Sequence, residues 1–417
     1  MQALAVAAGD VETHLVGGVL RDRALGLPLK DIDAVVASRG REIAERLAET
    51  LPARLVLLGG KEFAAYRLVA AELDVDLWDR DGTTLEEDLA RRDFTVNSFA
   101  LEVRSGALID PFDGVRDLER RLLKATTPES FSGDPLRVLR LPRLLLRLPG
   151  FAADPETVTL AHRSAARLAD VAAERVRDEL TFILENPDAH HGLALLIALD
   201  VYPGLFLGRP GEHLPAGTAL SEVEALMERI RDLRLLDAAA GQVDARIARL
   251  AFLFRNLPQP LEALVRFRDL GYLTRQTAAV VALVLELESL PEEDLDLRRF
   301  LYRAGRLWPT AFCALGARMA AREEGLDRWQ AVLPRLTELA RREGKILFDP
   351  PRLVTGADVQ QLLGIPPGKE VGRVLDAVRE AQVEGRVRTR EEAVAVVKAL
   401  TPGPSPASGR GAGGARG

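Results

Sequence analysis

The chain has one cysteine in 417 residues, five histidines and no long apolar run. Each scarcity removes a class of protein. A lone thiol, Cys313, builds neither an intramolecular disulfide framework nor a cysteine-based zinc site, and it reads as a small buried hydrophobe. No segment approaches the roughly twenty apolar residues that span a bilayer. The opening segment MQALAVAAGDVETH shows no basic leader, so a cytoplasmic protein with no membrane association is expected. The histidines, His14, His162, His190, His191 and His213, include no His-Asp dipeptide, which argues against a fused metal-dependent phosphohydrolase. His190 and His191 are expected to cap or flank a helix. The formal net charge of −6 has the wrong sign for a nucleic-acid binder, but distribution matters more than the sum. Arg137, Arg140, Arg143 and Arg147 recur at helical spacing, so they share a face suited to a phosphate backbone or a triphosphate, or simply to solvent.

With 47% hydrophobic residues the chain can support several cooperative units. Residues 10–125 alternate strand-like and helix-like segments: THLVGG, DIDAVVAS, a helix over 41–50, then ARLVLLG, FAAYRLVA and ELDVDLWD. Thr84 followed by Glu87 is a capping-box signature ahead of LEEDLARRD. From about Ser130 helical periodicity takes over, with Pro and Gly breaks at 186–192, 207–217, 256–260 and 347–353. The expected architecture is α+β: an α/β head with a mixed sheet over 1–128, a helical neck over 129–190, a helical body over 191–270 and a helical tail over 271–400. Residues 401–417, TPGPSPASGRGAGGARG, cannot bury a core and are expected to be disordered.

Chemistry is concentrated in HLVGGVLRDRALGLPLKDIDAVV, from His14 to Val36. Gly17 and Gly18 allow backbone N–H groups to approach a triphosphate at a helix start, where Arg21 adds a full cation. Asp31 and Asp33 are two apart on an extended segment, so both carboxylates leave one face. Such a pair can hold two Mg²⁺ ions, one activating an attacking hydroxyl and one stabilising a leaving pyrophosphate. Asp-x-Asp alone is a weak signal, found also in calcium loops and plain surfaces.

Context strengthens it. GGVLRD, DID, ARRDFTVNSFAL, DPFDGVRDL and GDPLRVLRLPRLLLRL follow in one order, and here the sequence closely resembles the bacterial tRNA nucleotidyltransferase and poly(A) polymerase family. The resemblance is strong over residues 12–185 and returns at 354–393. It implies a nucleotidyltransferase-type head with helical neck, body and a tail that binds tRNA. It makes Asp31 and Asp33 the catalytic metal ligands and assigns Gly18, Arg21, Arg92 and Asp93 to the incoming nucleotide, with Asp93 reading the ribose 2′-hydroxyl. Asp76 is a candidate third carboxylate, with a solvated edge strand as the alternative. Mg²⁺, CTP, ATP and the tRNA 3′ end are the implied cofactor and partners.

The helix expected to start at Asp134 places Asp134 and Arg137 on one face, an acceptor beside a donor. Cytosine and adenine offer an amino donor next to an unprotonated ring nitrogen; uracil and guanine offer a carbonyl next to a ring N–H. The pair therefore selects C and A, and a wrong base would leave two groups unpaired at a cost of a few kcal/mol. Arg140 and Arg143 continue this nucleotide-binding face. Arg175 and Glu179, in the last family-like motif, are expected to form an i, i+4 pair bracing the neck.

Three departures from the pattern bear on function. Gly133 stands where relatives carry Glu. Pro142 is expected to kink the arginine helix and shift Arg143 out of register. Only GTT separates LWDRD from LEEDL, where CCA-adding relatives have a longer lever-like loop, and its shortening is associated with enzymes that add only CC. The expectation is a CC-adding enzyme, or one adding CCA, with a separate A-adding enzyme acting in sequence in the first case. The alternatives are a poly(A) polymerase-like enzyme, opposed by the lack of a basic Gly-Arg-Arg-Phe type segment, and a non-catalytic RNA-binding relative.

Overall fold

The computed structural model of the chain describes residues 1–400 except Lys30, 60–63, Glu72, Asp81, 202–204, 206–243, Asn256, Pro258 and 322–325. The expectations for 207–217, His213 and 401–417 lie outside the described residues. The chain divides into two compact units, one formed within Met1–Glu224 and Leu257–Thr274, the other within Ala225–Asn256 and Arg275–Gly417.

The first unit begins with helix α1 (Gln2–Ala8), then builds a seven-stranded mixed sheet. Its strands are β1 (Thr13–Val16), β2 (Asp31–Val36), β3 (Arg54–Gly59), β4 (Ala64–Val69), β5 (Asp74–Asp79), β6 (Ala100–Glu102) and β7 (Leu108–Ile109), in the spatial order β3-β4-β5-β2-β1-β6-β7. The β2–β5 pairing is parallel and the other five are antiparallel. Alternation assigns the faces. Ala34, Val36, Val75 and Leu77 enter a core with Leu4, Ile43, Leu47 and Leu68, beneath α1 and α3 (Gly40–Thr50). Val16 and Val35 enter a second core on the other face with Leu85 and Leu89 of helix α4 (Leu85–Ala90), Trp78 packing beside them. The expected capping box is present: Thr84 Oγ1 accepts from the Glu87 N–H and Glu87 accepts from the Thr84 N–H. An N-cap of this type contributes about 1 kcal/mol.

Helix α2 (Gly18–Ala24) connects β1 to β2, and α5 (Gly114–Glu119) follows β7. The helical part of this unit comprises α6 (Ser130–Gly133), α7 (Arg137–Arg147), α8 (Pro155–Ser164), α9 (Ala173–Glu185) and α10 (Ala189–Ala198), with two short strands, β8 (Leu122–Leu123) and β9 (Ala152–Ala153), paired in parallel. Helix α7 packs against both α9 and α10. His190 and His191 lie in the first turn of α10 with ring centroids 3.9 Å apart.

The second unit is helical throughout its described residues. Five α-helices, Ala245–Arg255, Arg275–Glu286, Asp294–Ala304, Trp308–Ala321 and Leu326–Phe348, precede three more at Gly356–Leu363, Lys369–Val383 and Arg390–Ala399. The last three enclose a core rich in valine, including Val359, Val371, Val374, Val378 and Val397. Capping boxes at Thr355/Asp358 and Thr389/Glu392 start two of them. Cys313 is buried in the Trp308–Ala321 helix. No described helix is long and apolar enough to cross a membrane.

Candidate active site

The parallel register sets Asp31 beside Asp74 and Asp33 beside Asp76. With side chains alternating, these four acids share the α4 face of the sheet with Val35 and Trp78, so the polar end of that face runs directly into its apolar core. Strand β5 lies between β4 and β2, which overturns the edge-strand alternative for Asp76. Arg67, opposite Asp76 on β4, grips both of its oxygens, with Nε to Oδ1 at 2.7 Å and Nη2 to Oδ2 at 2.5 Å. Asp33 carries the strongest electrostatic conflict here. Burial pushes its carboxyl up to about 6, Asp76 and Asp31 adding to the effect and Arg92 opposing it. A divalent cation supplies the positive charge this cluster lacks, and oxygen donors suit Mg²⁺, so Asp31 and Asp33 fit a metal. Among the described residues no three His, Cys, Asp or Glu side chains are already grouped around a metal position. Asp76, engaged by Arg67, stands behind the pair.

Gly17 is where this arrangement depends on the absence of a side chain. Its φ is +78°, and a Cβ there would come within 2.7 Å of Asp33 Oδ2 and 3.0 Å of Arg92 Nη1. Arg92 extends from just beyond α4, pairs with Asp88 at 3.0 Å and lies over the Trp78 ring at 5.6 Å.

The neighbouring Asp93 is fully buried. Its Oδ1 accepts from the Phe94 N–H and the Asn97 side-chain amide, both at 2.8 Å. Its Oδ2 has no hydrogen-bond donor among the described residues and faces Arg140 Nη2 at 3.0 Å. Burial alone would raise this carboxyl, but Arg140, the Asn97 amide and the Phe94 N–H together hold it below its ordinary range. DPFDGVRDL supports this segment from behind. Asp110 accepts from the Gly114 and Val115 N–H groups at the start of α5, and Asp117 accepts from the Thr95 hydroxyl at 2.8 Å. Gly114 is so close to the Thr95 carbonyl that a Cβ would meet it at 2.1 Å.

Helix α7 forms the facing wall. Arg140, Arg143 and Arg147 line a 200 Å³ cavity with Gly18, Arg21, Asp31 and Asp33. A closed chain of polar contacts fastens this wall to the head. Arg147 donates to Asp22 Oδ2 at 2.6 Å; Arg21 donates to Asp22 Oδ1 at 2.6 and 2.8 Å and to Asn97 Oδ1 at 2.5 Å; Asn97 donates to Asp93, which meets Arg140. Arg21, Asp22, Asp93 and Asn97 are all buried, and each is held by at least one charged or amide partner in this chain, Asp93 Oδ2 meeting only the Arg140 charge among the described residues.

Several expectations change. The helix starts at Arg137, not Asp134, because the residue before a proline is driven out of the helical region, and Asp134 before Pro135 is extended at φ −140°, ψ 98°. Asp134 and Arg137 therefore do not share a helical face. Asp134 Oδ2 pairs with Arg175 at 2.9 Å. Arg137 donates to the backbone carbonyls of Arg91, Arg92 and Ser130. Pro142 does not move Arg143 out of register: α7 runs through it, and Arg143 lines the cavity with Arg140 and Arg147. Arg175 and Glu179 do not pair with each other. Glu179 accepts from Arg143 at 2.7 Å, tying α9 to α7, and burial raises its carboxyl against the pull of Arg143 and Arg140. Sequence reasoning also missed Asp22, Asn97 and Arg67. The signal for Asp22 was its place in GGVLRD; nothing local marked Arg67.

Known proteins match this arrangement along most of its length. The Poly A polymerase head domain matches residues 13–124, and the probable RNA and SrmB-binding site of polymerase A matches 150–211. The CC-adding tRNA nucleotidyltransferase of Geobacter sulfurreducens is 30% identical over 408 residues, covering 92% of this chain and 91% of that protein. The A-adding tRNA nucleotidyltransferase of Deinococcus radiodurans is 32% identical over 432 residues, covering 92% and 94%. The Thermotoga maritima CCA-adding enzyme, solved in complex with tRNA, superposes with a TM-score of 0.63 at 25% identity, covering 95% of this chain and 93% of that one. Relatives of all three specificities align over nearly the whole chain, which therefore belongs to the tRNA nucleotidyltransferase and poly(A) polymerase family.

Proposed function

We propose that this protein is a Mg²⁺-dependent tRNA nucleotidyltransferase that adds C to the tRNA 3′ end from CTP, without a nucleic-acid template, and stops at CC. The observation that carries the reading is the cavity in which Asp31 and Asp33 face Arg21, Arg140, Arg143 and Arg147: a carboxylate pair opposite a cationic wall, the pairing that a metal-bound polyphosphate requires. Bound at Asp31 and Asp33, Mg²⁺ would lower the pKa of the primer hydroxyl and stabilise the departing pyrophosphate. The arginines of α7 and α2 hold the polyphosphate and neutralise the charge that develops on it. Asp93, ionised and buried behind Arg140, accepts from the ribose 2′-hydroxyl, which deoxyribose lacks, once Arg140 turns off its Oδ2. Asp134 and Arg137 read the base edge once released from their present partners.

The limit to CC is supported by the connection from β5 to α4. Thr83 binds the Arg80 carbonyl through both its N–H (2.9 Å) and its hydroxyl (2.7 Å), Gly82 turns at φ +82°, and the Thr84 capping box begins the helix at once. The Trp78 indole N–H donates to Asp88 at 3.4 Å, and Arg92 stacks on the same ring. This connection leaves little slack for α4 and the Arg91 and Arg92 carbonyls that hold Arg137, so the base-reading residue is not re-aimed from C to A.

The test is single-nucleotide extension of tRNA transcripts ending at the discriminator base, after one C and after two, with CTP, ATP or both. Arrest after CC with ATP present is the expected result, and it implies a partner that supplies A. Completion to CCA would overturn the CC limit, long A tracts would establish a poly(A) polymerase, and absence of all transfer would establish a non-catalytic RNA binder.

A further inference from the structure

The carboxylate assigned to base reading is already engaged. Asp134 Oδ2 accepts from Arg175 Nη2 at 2.9 Å, and Oδ1 accepts from the Leu136 N–H at 3.2 Å. Arg175 projects from the first turn of α9, and its side chain is half exposed while that of Asp134 is mostly covered. The Arg175 N–H is thus a charged donor on the carboxylate that the proposed reading assigns to a base amino group. We infer that Arg175 is a place-holder for that amino group, a positioning residue that keeps Asp134 aimed and is exchanged for the exocyclic N–H of the incoming base.

The exchange is close to balanced for one kind of ligand. Cytosine or adenine replaces one N–H donor on Asp134 with another, while a base presenting a carbonyl would eject Arg175 and leave two acceptors face to face. The pair being partly exposed, its opening is cheap, and the affinity lost to it is set by the fraction of molecules in which Asp134 is free. Arg143, by contrast, is tied to buried Glu179, so the two links between α9 and the nucleotide-binding wall differ in kind: one is built to persist and the other to open.

This inference rests on the proposed reading of Asp134, and equilibrium binding separates the two. CTP affinity of the full-length chain with Mg²⁺, measured calorimetrically for wild type, Arg175→Ala, Arg175→Lys, Asp134→Ala and the double Asp134→Ala/Arg175→Ala variant, is the experiment. Arg175→Ala is expected to bind CTP up to about fivefold more tightly, the reach of an exposed ion pair. Arg175→Lys should restore wild-type affinity by returning a donor. Removing Arg175 should change nothing once Asp134 is gone, and the difference between wild type and Arg175→Ala should shrink as salt rises. Weaker CTP binding by Arg175→Ala, or an equal effect with and without Asp134, would overturn the inference and make Arg175 a brace. Parallel tRNA extension keeps the functional reading distinct: a chain that binds CTP as expected across the five proteins yet extends no tRNA upholds the place-holder and refutes the transferase.

Discussion

The two units of this chain handle charge in opposite ways. In the first, buried polar side chains cluster around one cavity: Arg21, Asp22, Asp93, Asn97 and Glu179 are all shielded from solvent and hold one another or the arginines of α7. In the second, ion pairs such as Arg341–Glu338 and Arg390–Asp358 lie at the surface, while Arg298–Glu343 is mostly covered and Arg249 is buried, so charge is spread and not gathered on one cavity. Burying charge is expensive unless each group is matched. Its gathering around one cavity in the first unit marks where the fold gives up stability for chemistry; the second unit buries Arg249 but gathers no such cluster among its described residues.

The sharpest way to break the contrast is at the carboxylates. Asp31→Ala or Asp33→Ala should lower nucleotide transfer by at least about 10³-fold with little change in tRNA affinity, measured by extension and filter binding. Near-normal transfer would place the chemistry elsewhere. Next in size is Asp22→Ala, which strands Arg21 and Arg147 and should cost about 3–5 kcal/mol in urea unfolding, as expected when one partner of a buried pair is lost.

Asp33→Asn should act in the other direction. The folded chain holds a proton on Asp33 up to about pH 6, whereas an ordinary aspartate has a pKa of 3.8. Between those values the folded state binds more protons, so the cost of ionised Asp33 grows as pH rises through the window and is complete above it. Thermal melts of the metal-free chain at neutral pH should show the Asn variant more stable by roughly 1–2 kcal/mol, with a flatter pH dependence across that window. A destabilised variant would mean that the Arg92 contact outweighs burial. The smallest effect belongs to the second unit: Arg341→Ala should leave the urea unfolding midpoint nearly unchanged, its partner Glu338 being a surface i, i+3 contact.

Periodicity and turn chemistry made much of the fold legible. The five strands from Thr13 to Asp79, the helix after Arg39 and the capping box at Thr84 all follow from local patterns, because each depends on neighbours in sequence. The short strands β6 and β7 gave no such signal. The site was legible as a set of residues and not as a set of partners. Asp31 and Asp33 could be placed on one strand face, but the pairing of Asp22 with Arg147, 125 positions apart, is fixed only when α7 packs on the head. Arg175 and Glu179 illustrate the same limit: an i, i+4 spacing permits a pair, and partners on α7 and beside it took both side chains instead. That Asp134 itself stands outside the helix was readable, since Pro135 keeps the residue before it extended.

The polar chain that leaves α7 at Arg147 and returns to it at Arg140 fixes that helix at two points seven residues apart, about 10 Å along its axis. One point would leave the rod free to swivel; two on the same side remove both roll and axial slip. A helix indexed in this way acts as a ruler held against the sheet, and shifting either end of it means breaking a particular contact, Arg147–Asp22 at one and Arg140–Asp93 at the other.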